Sequence, residues 1–532
     1  MSPISLPLSQ ALPVLGALLF SYVLLRKILN SYTNSAGLPY PPGPKGVPIL
    51  GNALQITDEK PWLLYKEWAS KWGSDFFFFM NSLCGDIIGL RVLGKNIIVV
   101  NSYQAGVDLF EKRGRVFSGR PKVPLFSDIA RWDFSLLVMD DGKSVRLIRK
   151  FIAQFANSAA VKDLHALITE NARALALRTA ATQDDGAFYL YSRSAISKNI
   201  LQITYGYQSM ENGDQWIKNT ELMSQSLAVM GTIGAHPIDV FPFLGKLPLW
   251  IWGKTFVQCI NNLRTTGLAM SVTPYNDVKQ QYLEKSAPPC VLTRLLDEKL
   301  QEDGTVQDEW EVMVAAATAY TAGVDTTTAS INSAIIFLMT HPDIQTRVQE
   351  ELDAYLHGER LPKIEDREAL PYFSAVLREI MRFNPVVPLA LPRRATEDCE
   401  YNGLLIPENS IVSVNVWAIL RDENEYPEPS KFKPERFLET RDGKPALRSD
   451  VLDPHSVFFG IGRRNCSGQQ LALDSVWITL ATLLTVFEIR VPDGMEQNYE
   501  YENGLFAQPK PFKCRFTVRS KSFLSALETA VA

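Results

Sequence analysis

Histidine is scarce in this chain, at 5 of 532 residues. None of His165, His236, His341, His357 and His455 stands at metal-ligand spacing, so each is read as a surface or structural residue. The six cysteines (Cys84, Cys259, Cys290, Cys399, Cys466 and Cys514) contain no Cys-x-x-Cys pair. That argues against a zinc module and a disulfide framework, and it suits a reducing compartment. Net charge is only −4, so there is no polyanion-binding footprint and nucleic acid is not expected as a partner. Repeats and low-complexity tracts are also missing. What is present, 46% hydrophobic and 21% charged residues, is the composition of a folded globular body.

One stretch lacks charge altogether. Ile4 to Leu25 holds no charged residue and most of its positions are Leu, Val, Ala, Phe or Ile, and about 20 residues of helix cross a bilayer core. Arg26 and Lys27 follow directly, while the first ten residues hold no Lys or Arg. By the positive-inside rule the N-terminus is lumenal and the rest cytosolic. A secretory signal carries its charges before the apolar run, so an uncleaved anchor is the preferred reading. The expected organisation is an anchor over 1–29, a proline-rich linker over 30–52 containing Pro41-Pro42-Gly43-Pro44, and one catalytic domain over 53–532.

Within that domain, Ile87–Val92 and Asn96–Val100 read as a hairpin turned at Leu93-Gly94-Lys95. From about 140 to 385 the pattern is helical, broken at Pro237, Pro242, Pro248 and Pro288-Pro289. A long apolar, Ala-rich helix is expected from about Asp308 to Thr340, another over Tyr372–Phe383, and a last one over Gln469–Phe487. Ser410–Val416 reads as a strand. The fold class is therefore mainly α with small β-sheets (α+β).

The densest local signal is Phe459-Gly460-Ile461-Gly462-Arg463-Arg464-Asn465-Cys466-Ser467-Gly468. It is a glycine-loosened loop with two guanidinium groups, ending in a thiol at the start of a helix. A helix N-terminus and nearby cations favour thiolate, and glycines let amides approach the sulfur. An isolated cysteine is ordinarily a small buried hydrophobe. A dinucleotide loop would need a third glycine where Asn465 stands. Neither alternative accounts for the whole segment.

This segment resembles the cysteine-ligand loop of the cytochrome P450 family, and the resemblance runs from the proline linker to Pro511-Phe512-Lys513-Cys514. Phe117-Ser118-Gly119-Arg120-Pro121 and the C-terminal tail look most like fungal, basidiomycete members. The resemblance implies a P450 fold behind one transmembrane helix, with haem b (iron protoporphyrin IX) as cofactor. Cys466 is then the metal ligand, Arg464 a propionate partner, and Phe459 a side chain packed on the sulfur side. Thiolate ligation favours O–O cleavage. Glu379 and Arg382 share a helix face and, with Arg436, match a structural Glu-Arg-Arg cluster. In Ala322-Gly323-Val324-Asp325-Thr326-Thr327, a buried acid beside hydroxyls is expensive unless paired or functional. Such residues can also simply cap a helix break at Gly323. The resemblance makes Thr326 the hydroxyl donor and Asp325 the proton relay of the oxygen-activation groove, with Gly323 opening room for dioxygen. Arg393 and Arg149 are implied as further propionate partners, since arginine's fork suits carboxylates.

Two departures stand out. Val145 occupies the position of the family's haem-contacting tryptophan, which removes one hydrogen-bond donor. Ser74–Gly85, with Phe76-Phe77-Phe78-Phe79-Met80, intervenes before the first strand, as an added membrane-contacting loop or a mis-spliced segment.

The implied activity is insertion of one atom of dioxygen into a C–H or C=C bond of a lipophilic molecule, in fungal secondary metabolism or xenobiotic oxidation. Neither flavin nor nicotinamide loops are visible, so electrons would come from NADPH through a membrane-bound cytochrome P450 reductase docking on the Cys466 side. The endoplasmic reticulum membrane is the expected location. Val240–Phe256 is expected near the membrane, and substrate contacts from Pro121–Leu137, Val386–Leu389 and Leu505-Phe506. The rivals are a haem-thiolate isomerase or dehydratase, members of which tend to lose the acid and threonine, and a non-catalytic haem-binding membrane protein.

Overall fold

The computed structural model describes residues 37–531 except 58, 81–84, 208–214, 231–235, 359, 497–498 and 503. The proposed anchor, residues 4–25, lies outside the described residues. Among those described, no helix is long and apolar enough to cross a membrane.

The longer helices are α1 Pro61–Met80, α2 Lys143–Ala156, α3 His165–Ala180, α4 Ala187–Tyr205, α5 Gln215–Met230, α6 Lys254–Leu283, α7 Glu309–Thr340, α8 Pro342–Leu356, α9 Pro371–Phe383 and α10 Gln469–Val486. Strand content is small. A four-stranded sheet runs in the order β1 (Ile87–Val92), β2 (Lys95–Val100), β4 (Ile411–Val414), β3 (Arg393–Arg394). β2 and β4 pair in parallel, and the other neighbours are antiparallel. The β1–β2 turn is tight because Leu93 and Gly94 both take positive φ (47° and 84°), the requirement of a two-residue primed hairpin.

The core is organised around α7. This helix is apolar on most faces, and its Ala315, Ala316, Ile331 and Ile335 are fully buried. It packs against α2, α4, α6 and α10, so it threads the interior. α10 begins directly after the cysteine loop and is itself buried from Asp474 to Val486. The ligand loop is thus anchored to the most rigid part of the molecule.

Two expectations change. The segment from Ser74 onward is not a loop up to Met80: it prolongs α1 in the same helix, because four phenylalanines and a methionine offer no Gly or Pro to stop it. Expected strand Ser410–Val416 is shorter, Ile411–Val414, and passes into a helical turn at Val416–Ile419. Asn415 ends the strand there, its side chain capping the Ala418 amide. The proline-rich stretch lies along the sheet edge, with Gly89 N–H donating to Pro42 O at 2.8 Å and Asn52 N–H to Arg91 O at 2.6 Å.

Candidate active site

The loop before α10 closes on itself. Cys466 N–H donates to Phe459 O at 2.8 Å, and Asn465 N–H to Gly462 O at 2.9 Å. Gly460 and Gly462 have φ of 81° and 73°. At Gly462 a side chain would also overlap the carbonyl of Phe110, so only glycine suits that position. Cys466 keeps open surface although protein surrounds it, and burial pushes its thiol pKa up. Open surface inside a desolvating wall marks an internal hollow. The Gly468 amide and Arg149 pull the thiol the other way but do not prevail. A bound metal ion would favour the thiolate further.

α7 shows a matching feature. Ala319, Ala322, Gly323, Thr326 and Ser330 keep accessible surface, while Tyr320, Val324, Asp325 and Ala329 are buried. These five lie at i, i+3, i+4, i+7 and i+11, along one stripe of the helix, and Thr318 and Thr321 keep accessible surface as well. Ser330 lines one small cavity with Leu377, Met381, Asn384 and Phe458, the residue that precedes the cysteine loop.

Four arginines converge beside the loop. Arg120 and Arg393 are nearly fully buried (4% and 6% exposed), and Arg149 and Arg464 are half-buried. Burial first, then repulsion from Arg464 and Arg149, pulls Arg393 down to about 9. Burial and the other three depress Arg120. Their bonds are mostly to backbone oxygens: Arg393 Nη2 to Ile461 O at 2.6 Å, Arg120 Nη1 to Pro392 O at 2.7 Å, and Arg464 Nε to Ser118 O at 3.0 Å. Arg149 Nη1 reaches Asn465 O at 3.0 Å. Arg120 Nε and Arg393 Nη1 have no partner. Asp140 takes Arg394 as its ion-pair partner at 2.5 Å. A buried guanidinium stays charged, so the cluster fits a group that brings two carboxylates against the arginines and an acceptor for sulfur. The two propionates and the iron of haem meet that description.

The family model for cytochrome P450 matches residues 41–516. The chain belongs to the cytochrome P450 family. Its relatives include cytochrome P450 monooxygenase claR of Ampulloclitocybe clavipes, 33% identical over 91% of this chain and 87% of the relative. Cytochrome P450 monooxygenase 98 of Postia placenta is 34% identical over 92% of both chains. Tryptamine 4-monooxygenase of Psilocybe cyanescens is 34% identical over 92% of this chain and 94% of its own length. These basidiomycete relatives make the chain a haem-thiolate monooxygenase.

In this P450 the groove residues are arranged differently from the sequence expectation. Thr326 is on the open stripe, with its Oγ1 donating to Ala322 O at 2.9 Å. Its proton is thus committed to the backbone and its lone pairs are left for the hollow. Asp325, one residue earlier, is rotated by a helical step into the α4 side. There it forms an ion pair with Arg193, Oδ1 to Nη2 at 2.6 Å, both residues buried. Burial raises the Asp325 pKa, against the opposing effects of Arg193 and Ser224. Gly323 does not open the groove by lacking a side chain: a Cβ there would meet Ile200 Cδ1 of α4 at 3.1 Å. Its smallness serves the close approach of α7 and α4.

The structural triad is assembled as expected. Glu379 Oε2 receives Arg382 Nε at 2.7 Å and Oε1 receives Arg436 Nε at 3.1 Å. Arg382 also bonds Leu420 O at 2.9 Å, and the Lys433 amide donates to Glu379 Oε1 at 2.8 Å. Val145 is buried on α2, so α2 offers the hollow no indole donor at that position. Sequence reasoning missed Arg120 as a site residue although its motif was visible. Arg193 carried no local signal at all.

Proposed function

We propose that this cytochrome P450 oxidises a lipophilic small molecule at a membrane surface, using electrons from NADPH delivered by a separate reductase. The observation that carries the reading is an accessible thiol in a two-glycine loop with four arginines beside it, two of whose nitrogens have no partner. When bound, haem would supply dioxygen activation and transfer of one oxygen atom to a C–H or C=C bond. The chain's residues do the rest. Cys466 would ligate the iron, and Arg120, Arg149, Arg393 and Arg464 would hold the propionates. The Phe459 carbonyl fixes the Cys466 amide, and its ring is assigned to the sulfur side. Thr326 orients water in the groove and passes a proton once its hydroxyl turns from Ala322 O, drawing on Asp325 once that carboxylate leaves Arg193.

The substrate reading rests on apolar walls. Val386–Leu389 and Leu505-Phe506 are joined where the Ala507 amide donates to Val386 O at 2.8 Å, and Pro121–Leu137 is assigned to the same wall. Electron delivery is assigned to the Cys466 side, where Lys143, Arg146 and Lys150 of α2 are exposed alongside Arg115 and Arg463. Such a face suits an acidic docking partner. Membrane contact is supported by Leu54, Phe243, Trp250 and Ile251, which are 77%, 64%, 74% and 50% exposed. Lys95 joins their two regions by bonding Asp239 O at 2.6 Å, and the apolar 4–25 segment precedes them in the chain. An endoplasmic reticulum location and a role in secondary metabolism or xenobiotic oxidation follow from this reading.

The test is product analysis of microsomes that co-express a reductase, given NADPH and a panel of terpenoid, polyketide, fatty and aromatic compounds. Oxygenated product is expected, and none from any lipophile would overturn the reading. Thr326→Ala should retain the sulfur-ligated spectrum while NADPH consumption outruns product and peroxide accumulates; unchanged coupling removes Thr326 from proton delivery.

A further inference from the structure

Three segments far apart in sequence meet beside the exposed 241–251 stretch, and one buried aspartate joins them through its carboxylate and its own backbone carbonyl. Asp239 is 3% exposed and sits in the helical turn Pro237–Val240. Its Oδ1 accepts the Leu125 amide at 2.9 Å, at the start of the π-helical turn Leu125–Ile129. Its own carbonyl accepts Lys95 Nζ at 2.6 Å, immediately after the tip of the β1–β2 hairpin. Attraction to the Asp239 charge partly offsets the burial that lowers the Lys95 pKa.

The far end of the 121–139 segment is tied elsewhere. Arg264 Nε bonds Ile129 O at 2.8 Å and Trp132 Nε1 bonds Leu263 O at 2.7 Å, both from α6. Phe126, Trp132 and Phe134 stack in sequence, with centroids 5.4 and 5.1 Å apart. The segment is therefore held firmly on α6 and by a carboxylate at Leu125. The Leu125–Ile129 turn is π-helical, a geometry that recurs at functional sites. The adjoining 241–251 stretch exposes Phe243 and Trp250, on the side where a lipophilic molecule would arrive from a membrane.

We propose that Asp239 is the clasp of the substrate entrance, setting how often the 121–139 segment parts from the 237–252 stretch. This rests on the functional reading above. Asp239 is a positioning residue: it acts through the Leu125 backbone and touches no reacting atom. Closed, the clasp makes a hydrogen bond to a charged acceptor, stronger than a neutral one. Open, water solvates both groups, so removing the carboxylate destabilises only the closed form.

The test uses full-length holoenzyme in lipid nanodiscs, wild type against Asp239→Ala and Asp239→Asn. Association and dissociation of a biphenyl-substituted imidazole are followed by stopped flow, with carbon monoxide as the small-ligand control. In Asp239→Ala both azole rates should rise about tenfold, the worth of one charge-assisted bond, with carbon monoxide binding unchanged. Asp239→Asn keeps an acceptor for the Leu125 amide and should restore near-wild-type rates. Hydrogen exchange at the Leu125 amide, which needs no haem, should accelerate in the alanine variant alone.

Unchanged azole rates, unchanged Leu125 exchange, or an asparagine variant as fast as alanine would each overturn the clasp. So would loss of the sulfur-ligated carbon monoxide spectrum in both variants, which would make Asp239 a folding residue. A wild type lacking that spectrum would instead sink the functional reading, leaving amide exchange to judge the clasp.

Discussion

Two buried arginine clusters lie in this molecule, and they differ in one respect. Behind α9, Arg382 and Arg436 share the carboxylate of Glu379, and their remaining donors reach backbone carbonyls. Beside the cysteine loop, no guanidinium of Arg120, Arg149, Arg393 and Arg464 is paired with a carboxylate, Asp140 and Asp141 act on Arg464 only through longer-range attraction, and two of the arginine nitrogens have no partner. Desolvating a charge is costly in both places. In the first cluster the chain supplies the compensation, so the cluster is architecture. In the second the chain withholds it, so the charge is stored for a ligand. Buried charge alone does not mark a site; buried charge left without its counter-charge does.

The contrast can be broken most severely at the ligand itself. Cys466→Ala should abolish the sulfur-ligated spectrum and all oxygenation while circular dichroism keeps its helical signal. A surviving spectrum would put the ligand elsewhere. Next comes the compensated cluster: Glu379→Ala leaves two buried guanidiniums without an anion, a loss of about 3–5 kcal/mol. Denaturant titration should show this with or without haem, and a variant of normal stability would deny the cluster its structural role. The uncompensated cluster should respond in the opposite sense. Arg393→Ala relieves repulsion, so the haem-free protein should be no less stable than wild type. Haem retention should nevertheless fall about tenfold or more for one charge-assisted bond, measured by transfer to an apo-globin acceptor. Equal loss of stability in both forms would make the two clusters alike. Smallest is Gly323→Ala: the new methyl presses on Ile200, but the helix gains propensity, so stability should move by under about 1 kcal/mol. Coupling of NADPH use to product should persist; strong uncoupling would return Gly323 to the oxygen groove.

Local punctuation made most helices readable. α9 is expected from Tyr372 to Phe383 and observed over Pro371–Phe383, because Asn384-Pro385 forbids continuation. The α7 and α10 expectations agree with the observed helices to within one residue at each end. Their apolar runs are long, and proline or glycine stands at the ends. The Glu379–Arg382 pair was equally legible, since one helical turn brings the two together. Ser74–Met80 was misread because an insertion suggests a loop, whereas its composition allows a helix. The neighbours of Asp325 and Gly323 were not legible for a different reason. A helical pattern gives angular spacing between residues, and 100° separates Asp325 from Thr326, but it does not say which angle faces the hollow.

By itself the sequence determined the chemistry that neighbours in the chain can build: a thiol in a two-glycine loop, a carboxylate one turn from a guanidinium, an apolar helix long enough to cross a domain. Only tertiary structure decided which side chains meet. It brought Arg120 to Arg464, turned Asp325 onto Arg193, and set Asp239 against Leu125. Spacing along a chain fixes relative orientation within one element, whereas the rotation of that element and the convergence of distant ones are set by packing.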